Sequence, residues 1–430
     1  MMTKTPSFQP SQLVDAVRNE MADTTKLLAE LVSRDSLVGH EQRAQQFVEE
    51  TLGDLGFSVR RQYIPEAIAS DPLAGTPLLS YEDRFNVVGA TEIVAGPTLL
   101  LNGHIDVVPV NEATWSTSPF GPVVNDGWLY GRGAGDMKGG FAMAFLAIKA
   151  LRAVNPELIN HNLSFVSVIE EECTGNGTLA SIREGVTADV VVLPEPTDLG
   201  VLLGGVPITW VKVEISFGGG HAESSDRLAS PAEVVYRMIE ELKSLEGRLN
   251  EGPDGPVALL SRPYNLNIGV IRMGEWASSV PANLLMELRV GHPSRISDDD
   301  VISEVTALVR GVLQEQPELR FDVTSHGFRS EGFYLPESDS LVGALRTSHV
   351  AAHGVLPSAG VIGSTTDARY YLNELGVPAV CYGPVTRNMH GSNEAVSLES
   401  IAQGATTLAT FMDAYLNHGG LSAWHDGSDW

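Results

Sequence analysis

The chain has 430 residues, 43% of them hydrophobic and 19% charged, with 43 Gly and 24 Pro. That is a globular composition, long enough for two cores, and it excludes the disordered, collagenous and low-complexity classes. Against 28 basic side chains stand 54 acidic ones, a net charge of −26 that repels nucleic-acid phosphates and anionic lipid surfaces. No apolar stretch approaches the ~20 residues that a membrane span needs. The start, MMTKTPSFQP, has no apolar core before a cleavage site, and two cysteines, Cys173 and Cys381, make no disulfide framework. These features point to a cytoplasmic protein with neither a nucleic-acid nor a membrane partner.

Apolar residues at helical spacing (Leu13, Val14, Val17, Met21, Leu27, Leu28, Leu31) predict a helix over 11–32 and the same pattern a second over 40–55. Strands are expected at 86–88 and 98–101, a helix at 140–154, and further strands at 163–169 and 190–193. Each strand is a nearly continuous Val/Leu/Ile run, as in a mostly parallel sheet covered by helices on both faces. From 207 the rhythm changes to strand 208–217, helix 231–245, strands 266–271 and 284–290, helix 298–313 and strand 319–323. This βαββαβ order is that of a small ferredoxin-like domain. A helix at 338–353, a strand at 377–381 and a helix at 397–416 then resume the α/β pattern. The expected fold is therefore an α/β domain built from 1–206 and 327–430, with 207–326 inserted.

Five short signals fall at predicted strand ends or in glycine-rich loops outside the insert. His104-Ile105-Asp106 ends the apolar run 99–101, and the strand period puts both polar side chains on one side. A metal-bound imidazole held by a carboxylate has this pattern, and so does an ordinary strand-end histidine. Asp136 lies in Gly131-Arg132-Gly133-Ala134-Gly135-Asp136-Met137-Lys138-Gly139-Gly140, where it fits a helix N-cap or a metal ligand. The P-loop spacing is missing. Glu170-Glu171-Glu172 follows the strand 163–169; three adjacent carboxylates repel one another unless a proton or cation neutralises them, or unless the turn is simply solvated. Glu195 stands between Pro194 and Pro196, and His390 opens His390-Gly391-Ser392-Asn393-Glu394. Together, histidines and carboxylates in this number suit Zn²⁺, Co²⁺ or Mn²⁺, with one carboxylate to bridge two ions and one to act as a base.

In this order the five motifs resemble the signature of the two-zinc amidohydrolases and peptidases that include acetylornithine deacetylase, succinyl-diaminopimelate desuccinylase, aminoacylase and glutamate carboxypeptidase. The likeness runs over residues 10 to 416 and is strongest to the acetylornithine deacetylase-like branch. It implies two divalent metal ions, most simply zinc, with His104 and Glu195 on one, Glu172 and His390 on the other, and Asp136 bridging. It further implies that Asp106 orients His104 and that Glu171 is the general base for the attacking water. The insert becomes a lid and dimerisation domain of a homodimer, and His221, in Phe217-Gly218-Gly219-Gly220-His221, reaches the partner's site to stabilise an oxyanion. Arg289 and Arg369 match arginines that hold a substrate carboxylate, although Arg369 can equally pair with Asp367.

The implied reaction is hydrolysis of an N-acyl amide, releasing an amino acid or small amine. Deformylation of an N-formyl aminopyrimidine, or a dipeptidase or carboxypeptidase activity, is the alternative within the family. A binding protein that kept the fold would have no use for Glu171. Two positions depart from the pattern: Glu170 replaces the usual Asp, and Ser278 replaces an Asn in the element Ser278-Ser279-Val280-Pro281.

Overall fold

The computed structural model describes residues 8–253 and 255–421. In chain order, α1 (Pro10–Val32) and α2 (Gln42–Asp54) precede β1 (Ser58–Tyr63), β2 (Phe85–Ala90) and β3 (Leu99–His104). The hairpin of β4 (Val123–Asn125) and β5 (Trp128–Tyr130) leads to α3 (Gly139–Val154), β6 (Leu163–Val168), α4 (Asn176–Arg183), β7 (Val190–Leu193) and β8 (Val201–Gly205). The insert then runs through β9 (Ile208–Ser216), β10 (Gly220–His221), α5 (Pro231–Leu249), β11 (Leu266–Met273) and β12 (Ser279–Val280). It ends with β13 (Asn283–Gly291), α6 (Asp298–Val312) and β14 (Arg320–Ser330). The chain returns through β15 (Phe333–Tyr334), α7 (Ser340–His353), β16 (Ala359–Val361), α8 (Ala368–Tyr370), β17 (Ala379–Cys381), β18 (Thr386–Arg387), β19 (Ala395–Ser397) and α9 (Leu398–Asn417).

The large sheet has the order β1-β2-β6-β3-β7-β17-β8-β15, with β16 beside β8. Its centre, β6-β3-β7-β17, is parallel, and antiparallel pairs flank it on both sides. The α/β class expected from the apolar runs is borne out, and the parallel pairing is concentrated in these four strands. β3 is buried at every position, as a strand covered on both faces must be. Over it lies α3, whose residues from Gly139 to Ile148 are all buried, with Phe141 and Phe145 against Phe165 of β6. Parallel strands point their carboxyl ends to one edge, which is where an open α/β sheet carries its site.

The insert forms a second, antiparallel sheet in the order β11-β13-β9-β14, the ferredoxin-like arrangement expected from its βαββαβ order. α6 begins with a capping box between Ser297 and Asp300, and α5 with Ser230 as cap and Pro231 at its first position. Val211, Val213 and Ile215 of β9 with Met286 and Leu288 of β13 join α5 and α6 in a hydrophobic core distinct from that of the large sheet. Among the described residues no helix is long and apolar enough to cross a membrane.

Candidate active site

His104 is the last residue of β3. Its Nδ1–H donates to the backbone oxygen of Asp106 at 2.9 Å, which leaves Nε2 unprotonated and turned to the sheet edge. The Asp106 carboxylate, expected to orient His104, lies 3.7 Å from Nδ1 and instead accepts the backbone N–H groups of Glu171 (3.2 Å) and Glu172 (3.1 Å). Thus the Asp106 backbone aims the histidine while its side chain holds the turn that carries two glutamates.

Asp136 lies three residues before α3 and caps nothing, so the helix-cap alternative is not the one adopted. Its Oδ1 is 3.1 Å from His104 Nε2 and its Oδ2 is 3.3 Å from His390 Nε2. The loop owes its shape to Glu394, which accepts N–H groups of Gly133 (3.1 Å), Gly135 (2.8 Å) and Asp136 (3.0 Å) and pairs with Arg132. Sequence reading places Glu394 in a motif but gives it no task; its partners lie about 260 residues away along the chain, and no local signal reveals them.

Of the three adjacent glutamates, Glu172 lies 3.1 Å from His390 Nε2 and Glu171 lies 3.9 Å from His104 Nε2. Glu170 points the other way. Its backbone is left-handed (φ 64°), and its fully buried carboxylate accepts from Tyr81 (2.7 Å) and Thr174 (2.8 Å) and pairs with Arg84. Arg84 also pairs with buried Glu41. Glu170 is therefore a structural anchor, and the chemistry rests with Glu171 and Glu172. Glu195 completes the cluster, 3.9 Å from His104 Nε2.

So many buried carboxylates around two imidazoles need compensating positive charge. Burial, then the repulsion of neighbouring carboxylates, pushes Glu195 up to about 8, and burial holds Glu171 well above the usual range. Burial also acts upward on Asp136, but its hydrogen bonds to His104 and His390 outweigh it and hold Asp136 low. The negative charge of Glu172 lifts His390 to about 11. Protons occupy the places that divalent cations neutralise in such donor sets. The ligand atoms of His104, Asp136 and Glu172 all lie within 4.8 Å of one another, so these residues fit a metal ion.

The cluster opens into a cleft of about 590 Å³ between the large sheet and the insert. Arg289 reaches this cleft. Arg369 does not: it is buried beside Asp367 (3.4 Å) and donates to the backbone oxygens of Thr366 (3.0 Å) and Thr174 (3.3 Å). His221 is exposed on β10, where its Nδ1 accepts the Glu223 N–H (3.2 Å), and it does not line this chain's cleft. Ser278 sits beside it, its backbone oxygen accepting the N–H of Ala222.

A ligand cluster buried at its back and open to a cleft at its front defines a metal-dependent hydrolase. Residues 100–414 match the model of Peptidase family M20/M25/M40, and the chain belongs to that family. It is 27% identical over 425 residues to the N-formyl-4-amino-5-aminomethyl-2-methylpyrimidine deformylase of Bacillus subtilis (strain 168), covering 93% of this chain and 95% of that one. It is 28% identical over 401 residues to the succinyl-diaminopimelate desuccinylase of Methylorubrum populi, covering 90% and 97%. Among solved structures, a dipeptidase of Saccharomyces cerevisiae superposes with a TM-score of 0.80 at 14% identity over 98% of this chain and 99% of that one. Human carnosine dipeptidase 1 gives 0.76 at 17% identity, over 94% and 99%. The protein is thus a hydrolase of amide bonds.

Proposed function

We propose that the protein frees a small amine or amino acid from its N-acyl group at a centre of two zinc ions. The observation that carries this reading is Asp136, whose two oxygens face the Nε2 atoms of two different histidines. His104 and Glu195 would hold one ion, Glu172 and His390 the other, with Asp136 between them; cobalt and manganese take the same donors. When bound, the ions supply Lewis acidity toward the scissile carbonyl. Glu171 takes a proton from the attacking water and returns it to the leaving nitrogen, a task suited to a carboxylate whose proton affinity burial has raised. Asp106 keeps Glu171 and Glu172 in place through their backbone N–H groups.

Segment 207–326 acts as lid and dimerisation domain on a catalytic domain of 1–206 and 327–430. The exposure of His221 outside its own cleft supports a homodimer in which it stabilises the oxyanion in the partner's site. Arg289 supplies the positive charge for a substrate carboxylate. Low cysteine content and acidic charge support a cytoplasmic setting. The test is hydrolysis of N-formyl, N-acetyl and N-succinyl amines and of dipeptides by metal-free and zinc-restored protein, read by mass spectrometry. Zinc-dependent cleavage of one acyl class is expected; no cleavage of any of them with both ions bound overturns the reading.

A further inference from the structure

The insert's sheet buries one face under α5 and α6 and turns the other toward the cleft, where it carries groups that the chemistry above does not use. Trp210 of β9 and Arg289 of β13 are direct cross-strand partners. Phe328 of β14 packs edge-on against the indole, with ring centroids 5.4 Å apart and planes at 79°. The indole also lies on the backbone of Gly327, where a Cβ would stand 2.5 Å from its Cε3 and φ is +77°. Only glycine leaves room for the ring in that place. The Trp210 Nε1–H is shielded and has no hydrogen-bond partner, a rare state for a donor in a folded protein.

Arg289 is half-buried and meets only neutral oxygens: Asn265, the backbone of Gly363 (3.1 Å) and Ser364 Oγ (3.2 Å). Among the described residues no carboxylate pairs with it, and it is the only Lys or Arg along the cleft. A ligand with several carboxylates would bury all but one without a counter-charge, which is strongly unfavourable. A ligand with one acceptor group and a flat body leaves no charge unpaired, covers the indole face and loses few rotors on binding.

We propose that the cleft selects N-acyl amides whose non-reacting part is a flat aromatic or heteroaromatic ring with one anionic or accepting substituent, the ring against Trp210 and the substituent at Arg289. This rests on the hydrolase reading. The zinc-restored enzyme is offered N-acetyl and N-formyl derivatives of 4-(aminomethyl)benzoate and of 6-aminohexanoate, which match in acyl group, charge and length. The ring amides are expected to have the higher kcat/KM by about tenfold. Trp210→Ala and Gly327→Ala should erase that preference through KM, and Trp210→Phe, which preserves a ring, should keep most of it. Calorimetric binding of the ring probe to zinc-loaded Glu171→Gln protein should weaken about tenfold when Trp210→Ala is added. Equal kcat/KM for ring and aliphatic amides, or a ring preference that survives Trp210→Ala in protein of native circular dichroism, overturns the proposal. Trp210-dependent binding with no cleavage of either amide would sustain the ring subsite while refuting the hydrolase reading.

Discussion

The edge of the large sheet and the open face of the insert's sheet confront each other across the cleft, and they are built in opposite ways. β3 is buried at all six positions, and the residues beyond it are fastened by buried polar contacts: His104 to the Asp106 backbone, the Glu171–Glu172 turn to the Asp106 carboxylate, the Asp136 loop to Glu394. β9 alternates instead, burying Val211, Val213 and Ile215 while Trp210, Lys212 and Glu214 face away from its core. Groups that must hold a fixed geometry stand where neighbours lock them from all sides. Groups that meet the variable part of a ligand stand on a surface that can change without disturbing a core.

The sharpest way to break this contrast is at the base. Glu171→Gln should lower kcat by about 10²–10⁴-fold with metal content and melting temperature unchanged, measured by elemental analysis and scanning calorimetry. Undiminished activity would remove Glu171 from its role. Arg84→Met leaves Glu41 and Glu170 buried without their cation and should lower stability by about 3–5 kcal/mol in urea unfolding. A loss below about 1 kcal/mol would mean that the anchor under Glu171 and Glu172 is dispensable.

On the insert, His221→Ala should reduce kcat by about 10²–10³-fold with no change in unfolding midpoint. Mixing it with the Glu171→Gln protein should restore part of the activity if the histidine serves its partner, and fail to if it serves its own chain. A smaller effect belongs to His349, which burial and then the charge of His353 hold down to about 4. Its unfolded value is about 6.5, so the folded state resists a proton that the unfolded chain accepts. The stability it contributes is complete above about 6.5 and is lost as pH falls toward about 4; His349→Gln should flatten that fall by about 1–2 kcal/mol between pH 7 and 5. Smallest is Lys212→Ala on the open face: its pair with Glu214 at 3.0 Å is partly solvated, and stability should change by less than about 1 kcal/mol.

The insert was legible because its strands alternate and its helices carry strong apolar stripes, so βαββαβ could be read in order. The central strands of the large sheet were legible for the reverse reason, as unbroken Val/Leu/Ile runs. β1 escapes because an edge strand reading Ser58-Val59-Arg60-Arg61-Gln62-Tyr63 has no apolar run to show. The β4–β5 hairpin escapes too, although Asp126-Gly127, both at positive φ, carry its turn signal in plain view. In the site, the ligand candidates were legible because each lies inside a contiguous motif. The direction of Glu170 and the tasks of Asp106 and Glu394 were not, since they depend on contacts with residues 65 to about 260 positions away. Arg369 resembles a substrate arginine in its motif, and only packing reveals that it is buried beside Asp367.

The most direct test of the account is to strip the protein of metal, titrate zinc back and follow bound metal and amide hydrolysis on the same sample. Two ions per chain, with hydrolysis absent before zinc and restored by it, is the predicted result. Hydrolysis by the metal-free protein, or saturation without a second bound ion, would contradict a centre bridged by Asp136.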